Sequence, residues 1–351
     1  MADPLRPRGA VARMAPYSPP SAGRAGKLRL DFNENTVGCS PRVAEFLRRV
    51  VSEPLLSVYP EYVETKPELA AFFGVAKDEL LLANGTDEAI QVLVNTYVDD
   101  GDEVLILHPS YAMYKFYSEV AGARIQLIDY RPEDLAFPVE ELLRAITPRT
   151  RAIFLSNPNN PTGTGIDLPE VRCILDAAPR AAVLIDEAYY EFCGVTALPL
   201  LREYPNLFVS RTFSKVYGMA AMRMGCLFSQ AGNTAFLHKA QSPYSVNLLA
   251  ALAAREAIRD TGYIAGYVSE VLAARDEVYT GLDRLGIGYF RSRANFVLFR
   301  AGERALEIRD RLREKKILVR DRSYEIAGCV RVTVGTRPQV RQFLEELEKI
   351  W

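Results

Sequence analysis

Between residues 80 and 229 the chain repeats one pattern, a short run of consecutive apolar residues followed by a segment with helical spacing. Glu103-Val104-Leu105-Ile106-Leu107, Ala152-Ile153-Phe154-Leu155, Ala181-Ala182-Val183-Leu184-Ile185 and Leu207-Phe208-Val209 are such runs, and Cys226-Leu227-Phe228 is a fifth. Strands apolar on both sides need cover on both faces, and helices between them supply it. The pattern therefore predicts an α/β fold, a mostly parallel sheet covered by helices. One intervening helix, residues 87–97, sets Ala89, Ile90, Leu93, Val94 and Tyr97 on one face, with acids in its first turn. In such sheets ligands sit beyond the carboxyl ends of the strands. Each polar cluster falls at such an end: His108-Pro109-Ser110-Tyr111, the turn from Asn157 to Gly163, Asp186-Glu187, and Ser210 to Lys215.

A chain of 351 residues exceeds what one core usually sustains, and the pattern changes after Pro243. Helical stretches over 246–259 and 268–285 lead into strand-like runs at 295–299, 317–319 and 330–334, with helices over 305–315 and 339–350. This predicts a smaller α+β domain from residues 28–50 and 246–351, with a large domain of residues 51–245 inserted between its pieces. Residues 1–27, rich in Pro, Ala, Gly and Arg, are predicted to form a mobile arm, with Tyr17 its one noteworthy residue.

Charge narrows the partners. Lys and Arg number 43 against 44 Asp and Glu, so neither nucleic acid nor an anionic membrane is expected. No run approaches the roughly 20 apolar residues of a membrane span, and the first 27 residues lack the apolar core of a signal peptide. Five scattered cysteines and two histidines argue against a metal site, a Cys/His pair or a Ser/His/Asp triad, and point to a reducing, cytoplasmic setting.

That leaves Ser210-Arg211-Thr212-Phe213-Ser214-Lys215, followed eight residues on by Arg223. A lone lysine at a strand end is ordinarily a solvated loop residue. Beside an anion cradle it suits a different task, holding pyridoxal 5'-phosphate covalently. That cofactor needs a lysine, a phosphate cradle, a carboxylate to keep its pyridine nitrogen protonated, and a partner for its phenolate oxygen. Asp186 ends a strand where such a carboxylate would sit, though it could equally cap a helix. Asn157 to Gly163 makes a rigid turn that could fix Asn160 on the phenolate oxygen, and Tyr189 could reach the same atom. Asn84-Gly85-Thr86-Asp87 opens the helix already described, so its amides and dipole favour an anion there. Thr212, Ser214 and Arg223 would complete the cradle, and Tyr111 could lie flat on the ring.

In this order and spacing, Asn160-Pro161-Thr162-Gly163, Asp186-Glu187-Ala188-Tyr189, Thr212-Phe213-Ser214-Lys215 and Arg223 resemble the fold-type I, class I/II aminotransferases. The likeness runs from about Tyr17 to the end. It implies an aspartate aminotransferase-like fold in which the large domain binds pyridoxal 5'-phosphate. Lys215 would hold the cofactor and shuttle the proton, Asp186 would take the pyridine nitrogen, and Asn160 and Tyr189 the phenolate oxygen. Tyr111 would stack on the ring, with Gly85, Thr86, Asp87, Thr212, Ser214 and Arg223 around the phosphate. Members of the family are homodimers with shared active sites, and Tyr59 matches the tyrosine that reaches the partner subunit's phosphate.

Within the family, Asp31-Phe32-Asn33-Glu34-Asn35, Tyr59-Pro60 and the run Cys329 to Thr336 resemble the histidinol-phosphate aminotransferases. Arg331 then matches the arginine for a substrate α-carboxylate, with Asn33 beside it. Tyr17 and Arg320 match contacts to a substrate phosphate, and Arg322 is near enough to compete for that place. The implied reaction converts L-histidinol phosphate and 2-oxoglutarate to imidazole acetol phosphate and L-glutamate. An aromatic amino-acid aminotransferase and a threonine-phosphate decarboxylase are rival readings with nearly the same site. A regulatory domain that binds the cofactor without catalysis is a third. Thr36, where the family usually has proline, and Met219-Ala220-Ala221-Met222 depart from the family pattern.

Overall fold

A computed structural model describes residues 5–16 and 22–351. Its strands are β1 (Leu28–Arg29), β2 (Leu80–Ala83), β3 (Glu103–His108), β4 (Arg124–Asp129), β5 (Thr150–Ser156), β6 (Ala182–Asp186), β7 (Leu207–Thr212), β8 (Gly225–Phe228), β9 (Tyr289–Phe290), β10 (Phe296–Arg300), β11 (Ile317–Leu318), β12 (Arg320–Asp321) and β13 (Cys329–Thr333). The five apolar runs are β3 and β5 to β8, all in one seven-stranded sheet ordered β2-β8-β7-β6-β5-β3-β4. Pairing is parallel except at β8, which runs antiparallel to both β7 and β2.

Period-two alternation divides the apolar runs between two cores. Leu105, Leu107, Ile153, Leu155, Val183, Ile185, Leu207 and Val209 face one. Val104, Ile106, Ala152, Phe154, Ala182, Leu184 and Phe208 face the other, where helix Gly85–Tyr97 packs through Ala89, Ile90 and Leu93. The expected amphipathic face of that helix is thus its buried face. Two strands of the sheet lie outside the expected pattern. Leu80–Ala83 is a fully buried apolar run as short as β8 but is not among the five runs, and Arg124–Asp129 is an edge strand that buries only Ile128, so it carries no continuous apolar run.

The remaining strands form an antiparallel sheet, β12-β13-β10-β9, and a two-stranded parallel pair, β1 with β11. The Ile317 run therefore pairs with Leu28–Arg29 rather than joining the sheet of β10 and β13. Helix Pro41–Val50 lies along helix Leu248–Arg259, where Arg42 and Glu256 pair at 2.9 Å. The next helix, Thr261–Arg284, begins before the expected residue 268, because Asp260 caps it by accepting from the Tyr263 amide at 3.3 Å.

In the arm, Gly9–Ala12 forms a helical turn against helix Ala112–Ala121; Tyr17 lies outside the described residues. Among the described residues no helix is long and apolar enough to cross a membrane.

Candidate active site

A cavity of about 670 Å³ opens beyond the carboxyl ends of β3, β5, β6 and β7. Thr86, Asp87, Tyr111, Asn160, Asp186, Tyr189, Thr212, Ser214, Lys215 and Arg223 all line it, as do Asn33, Arg320, Arg322 and Arg331. Residues scattered over some 300 positions of sequence thus share one chamber. Tyr59 does not. It is 75% exposed and stacks on Tyr244, ring centroids 4.6 Å apart.

Lys215 follows the end of β7, and its Nζ donates to the Phe32 carbonyl at 3.0 Å. Burial pushes its ammonium down to about 8, helped by the positive charges of Arg331 and Arg223 and opposed by Glu34 and Asp87. Near neutral pH a useful fraction is therefore an unprotonated amine, the form that acts as nucleophile or base.

Asp186 closes β6 and is 3% exposed. Tyr114 donates to its Oδ2 at 2.7 Å and Ser210 to its Oδ1 at 2.8 Å. Burial raises this carboxyl, and the two hydroxyls work against the rise. Ser210 heads the polar cluster singled out in the sequence without a role of its own there, and Tyr114 is not singled out at all. Ser210 lies opposite Asp186 in the β6–β7 register, which strand alternation could have indicated. Tyr114, one helical turn beyond Tyr111, carries no comparable signal.

At the opening of helix Gly85–Tyr97, Asp87 ties two candidates together. Its Oδ1 accepts from the Tyr111 hydroxyl at 2.6 Å and its Oδ2 from Arg223 Nη2 at 3.0 Å. Gly85 has φ +74°, and a Cβ there would come within 2.5 Å of Arg223 Nη2. Glycine is thus required both for the backbone turn and for the arginine's approach to the helix N-terminus. Thr212 and Ser214 stand beside it, the Ser214 amide donating to Thr212 Oγ1 at 3.1 Å. A cation, two hydroxyls and a helix N-terminus make a cradle suited to a phosphate.

On the opposite wall, Arg331 is buried in β13. Its Nη2 donates to the Asp31 carbonyl at 2.6 Å and its Nη1 to Asn160 Oδ1, while its Nε is buried without a partner. Burial and the nearby Arg322 push this guanidinium down to about 10. An anion from outside would relieve both the orphaned donor and the crowded charge. Asn33 links the walls, donating from Nδ2 to the Tyr189 hydroxyl at 2.9 Å and accepting from Thr333 Oγ1 at 3.1 Å. Arg322 is matched by Glu325 and by Tyr324 Oη at 2.9 Å. Arg320 has no ion pair among the described residues, and its guanidinium lies 5.8 Å from the Phe32 ring centroid.

Comparison with known proteins places the chain in a family. The model of aminotransferase class I and II matches residues 25–347. The chain belongs to that family. This aminotransferase is 35% identical to a histidinol-phosphate aminotransferase of Symbiobacterium thermophilum, over 97% of each chain. Its fold matches the crystal structure of a Sinorhizobium meliloti histidinol-phosphate aminotransferase in complex with pyridoxal-5'-phosphate. The TM-score is 0.90 at 23% identity, covering 99% of this chain and 98% of that one. A Thermus thermophilus aspartate aminotransferase variant superposes with a TM-score of 0.83 at 23% identity, covering 100% of both chains. The fold expected from the motifs, fold-type I, is the fold observed.

Proposed function

We propose that this aminotransferase binds pyridoxal 5'-phosphate in the cavity and moves the amino group of L-histidinol phosphate to 2-oxoglutarate, giving imidazole acetol phosphate and L-glutamate. The observation that carries the cofactor reading is the convergence of Lys215, lowered to about 8, and the doubly hydrogen-bonded Asp186 on one chamber with Thr86, Thr212, Ser214 and Arg223. When bound, the cofactor supplies an electron sink for negative charge developing on the substrate α-carbon. Thr86, Thr212, Ser214, Arg223 and the amides opening helix Gly85–Tyr97 would hold its phosphate, with Gly85 giving the room. Asp87 would steady Arg223 and Tyr111 by the hydrogen bonds it already makes.

Asp186 would keep the pyridine nitrogen protonated, and Asn160 and Tyr189 would hold the phenolate oxygen. Lys215 would carry the cofactor, yield it to the incoming amine, and move a proton between the substrate α-carbon and the cofactor's C4′. Arg331 would take the α-carboxylate of glutamate in the second half-reaction. Histidinol phosphate has no such carboxylate, so its phosphate needs another cation, and Arg320, without an ion pair among the described residues, supports that role better than Arg322, which Glu325 already matches. A 35% identical relative that is a histidinol-phosphate aminotransferase supports the substrate. In this reading residues 51–245 form the cofactor domain, and residues 28–50 with 246–351 bring Arg320 and Arg331 to it. The active form would be a homodimer in which Tyr59 completes the partner subunit's phosphate cradle.

The test is a set of single half-reactions of the cofactor-loaded enzyme with histidinol phosphate, phenylalanine and threonine phosphate, followed by the cofactor's visible absorption. Fast bleaching by histidinol phosphate is expected, with Arg320→Ala raising its KM roughly tenfold while that for glutamate changes little. Bleaching by phenylalanine alone would replace the substrate, and carbon dioxide release from threonine phosphate would replace the reaction class.

A further inference from the structure

Strand alternation turns the neighbours of the site residues to the opposite side of the sheet. Arg211 lies between Ser210 and Thr212, and Glu187 follows Asp186; the two make a buried ion pair, Arg211 Nε to Glu187 Oε2 at 2.7 Å. Arg211 also lines a second cavity of about 570 Å³, separate from the first, with Phe72, Phe73, Tyr190 and Tyr217 among its walls.

Besides the exposed Arg202 and the half-exposed Glu79 of its rim, two more deeply buried polar groups at this cavity lack a close side-chain partner among the described residues. Glu191 has a side chain only 12% exposed, and its nearest cation, Arg211 Nη1, is 4.0 Å away, beyond hydrogen-bond distance. Tyr217 is 4% exposed, yet its hydroxyl makes no hydrogen bond among the described residues. Since Glu187 already matches Arg211 and Arg202 is exposed at the rim, Glu191 is the inner carboxylate left without a close ion pair. Burial pushes it up to about 7, a penalty that a nearby cation would relieve. The walls already stack one cation, because the Arg211 guanidinium lies 3.4 Å from the Tyr190 ring centroid.

We propose that this cavity is a second ligand site, taking a small organic cation that carries N–H donors on a flat apolar body, such as an arylamidinium. Its donors meet Glu191 and the Tyr217 hydroxyl, and its body lies among the aromatic rings. Tyr217 is two residues past Lys215, and Arg211 adjoins Thr212, so a ligand here touches the segments that carry the active site. The proposal does not depend on which amine the enzyme transaminates.

Benzamidine is a suitable probe, because its amidinium carbon bears no hydrogen and it cannot serve as an amino donor. Calorimetric titration of the cofactor-loaded enzyme should show one saturable site per subunit. Glu191→Gln should weaken it about tenfold or more, leaving turnover and the cofactor's absorption unchanged. Phe72→Ala, at the exposed rim, should weaken it severalfold and serves if Glu191→Gln does not fold. Benzoate, with the same ring and the opposite charge, should not bind there. No saturable binding of benzamidine overturns the proposal. So does binding that both variants leave unchanged, or binding that saturating 2-oxoglutarate displaces.

Discussion

Tyr114, fully buried, donates a 2.7 Å hydrogen bond to Asp186 Oδ2, while Ser210 supplies the other oxygen. A carboxylate in so dry a place favours its neutral form, and only the charged form can hold a protonated pyridine. Tyr114→Phe keeps the ring, which stacks on Phe154 at 5.4 Å, and removes the donor alone. Losing a hydrogen bond to a charged group costs about 1–3 kcal/mol, so kcat/KM should fall roughly tenfold or more. Because the Asp186 carboxyl rises further, the deficit should widen as pH falls. A pH–rate profile that overlays the parent's would rule out this positioning role.

Lys215 gives a prediction for the protein without cofactor. Its ammonium sits near 8 rather than the ordinary 10.5, chiefly through burial. Reaction with added pyridoxal 5'-phosphate should therefore speed up as pH rises through about 8. Arg331→Leu removes a positive neighbour, so the midpoint should move upward, as stopped-flow absorbance would show. Linkage adds a stability effect of definite sign. Below about 8 both folded and unfolded lysines are charged and the burial cost is present in full; between there and 10.5 the unfolded chain binds more protons, so apoprotein stability gains as pH rises.

The sheet and many of the residues that line its cavity were legible for a common reason. Buried parallel strands are continuous apolar runs, and their polar ends collect ligand groups, so Asp186 and Lys215 stood out against the strands before them. β4 was not legible, because an edge strand with exposed Gln126 and Leu127 lacks that run. β9 and β12, at two residues each, are too short to show any period. Tyr114 was hidden differently. Its helix reads as ordinary packing, and only the folded distance to Asp186, 72 residues away, reveals the contact. The pairing of Asn160 with Arg331, 171 residues apart, was hidden in the same way.

Gly85 offers a test of the phosphate cradle. With φ +74° and Arg223 Nη2 within 2.5 Å of an added Cβ, Gly85→Ala meets both a strained backbone and a blocked arginine. Left-handed backbone at a non-glycine residue costs on the order of 1 kcal/mol. Moving Arg223 should weaken cofactor affinity further, roughly tenfold, as equilibrium dialysis would measure. Undiminished affinity would mean that Arg223 does not hold the phosphate.

Tyr59 tests whether the site is shared between subunits. It is exposed, lies outside its own subunit's cavity and stacks on Tyr244, so any contact it makes with cofactor has to be in another subunit. Subunits carrying Tyr59→Ala and subunits carrying Lys215→Ala would each be impaired alone. If the tyrosine acts across a dimer, a mixed pair holds one intact site, with Lys215 from one chain and Tyr59 from the other. Random re-association makes half the dimers mixed, so the mixture should recover about a quarter of parental activity. If Tyr59 acted within its own chain, no mixed dimer would contain an intact site, and mixing would restore nothing. Measuring turnover before and after co-refolding separates the two outcomes, and the same mixture run on a sizing column shows whether recovery follows dimer formation.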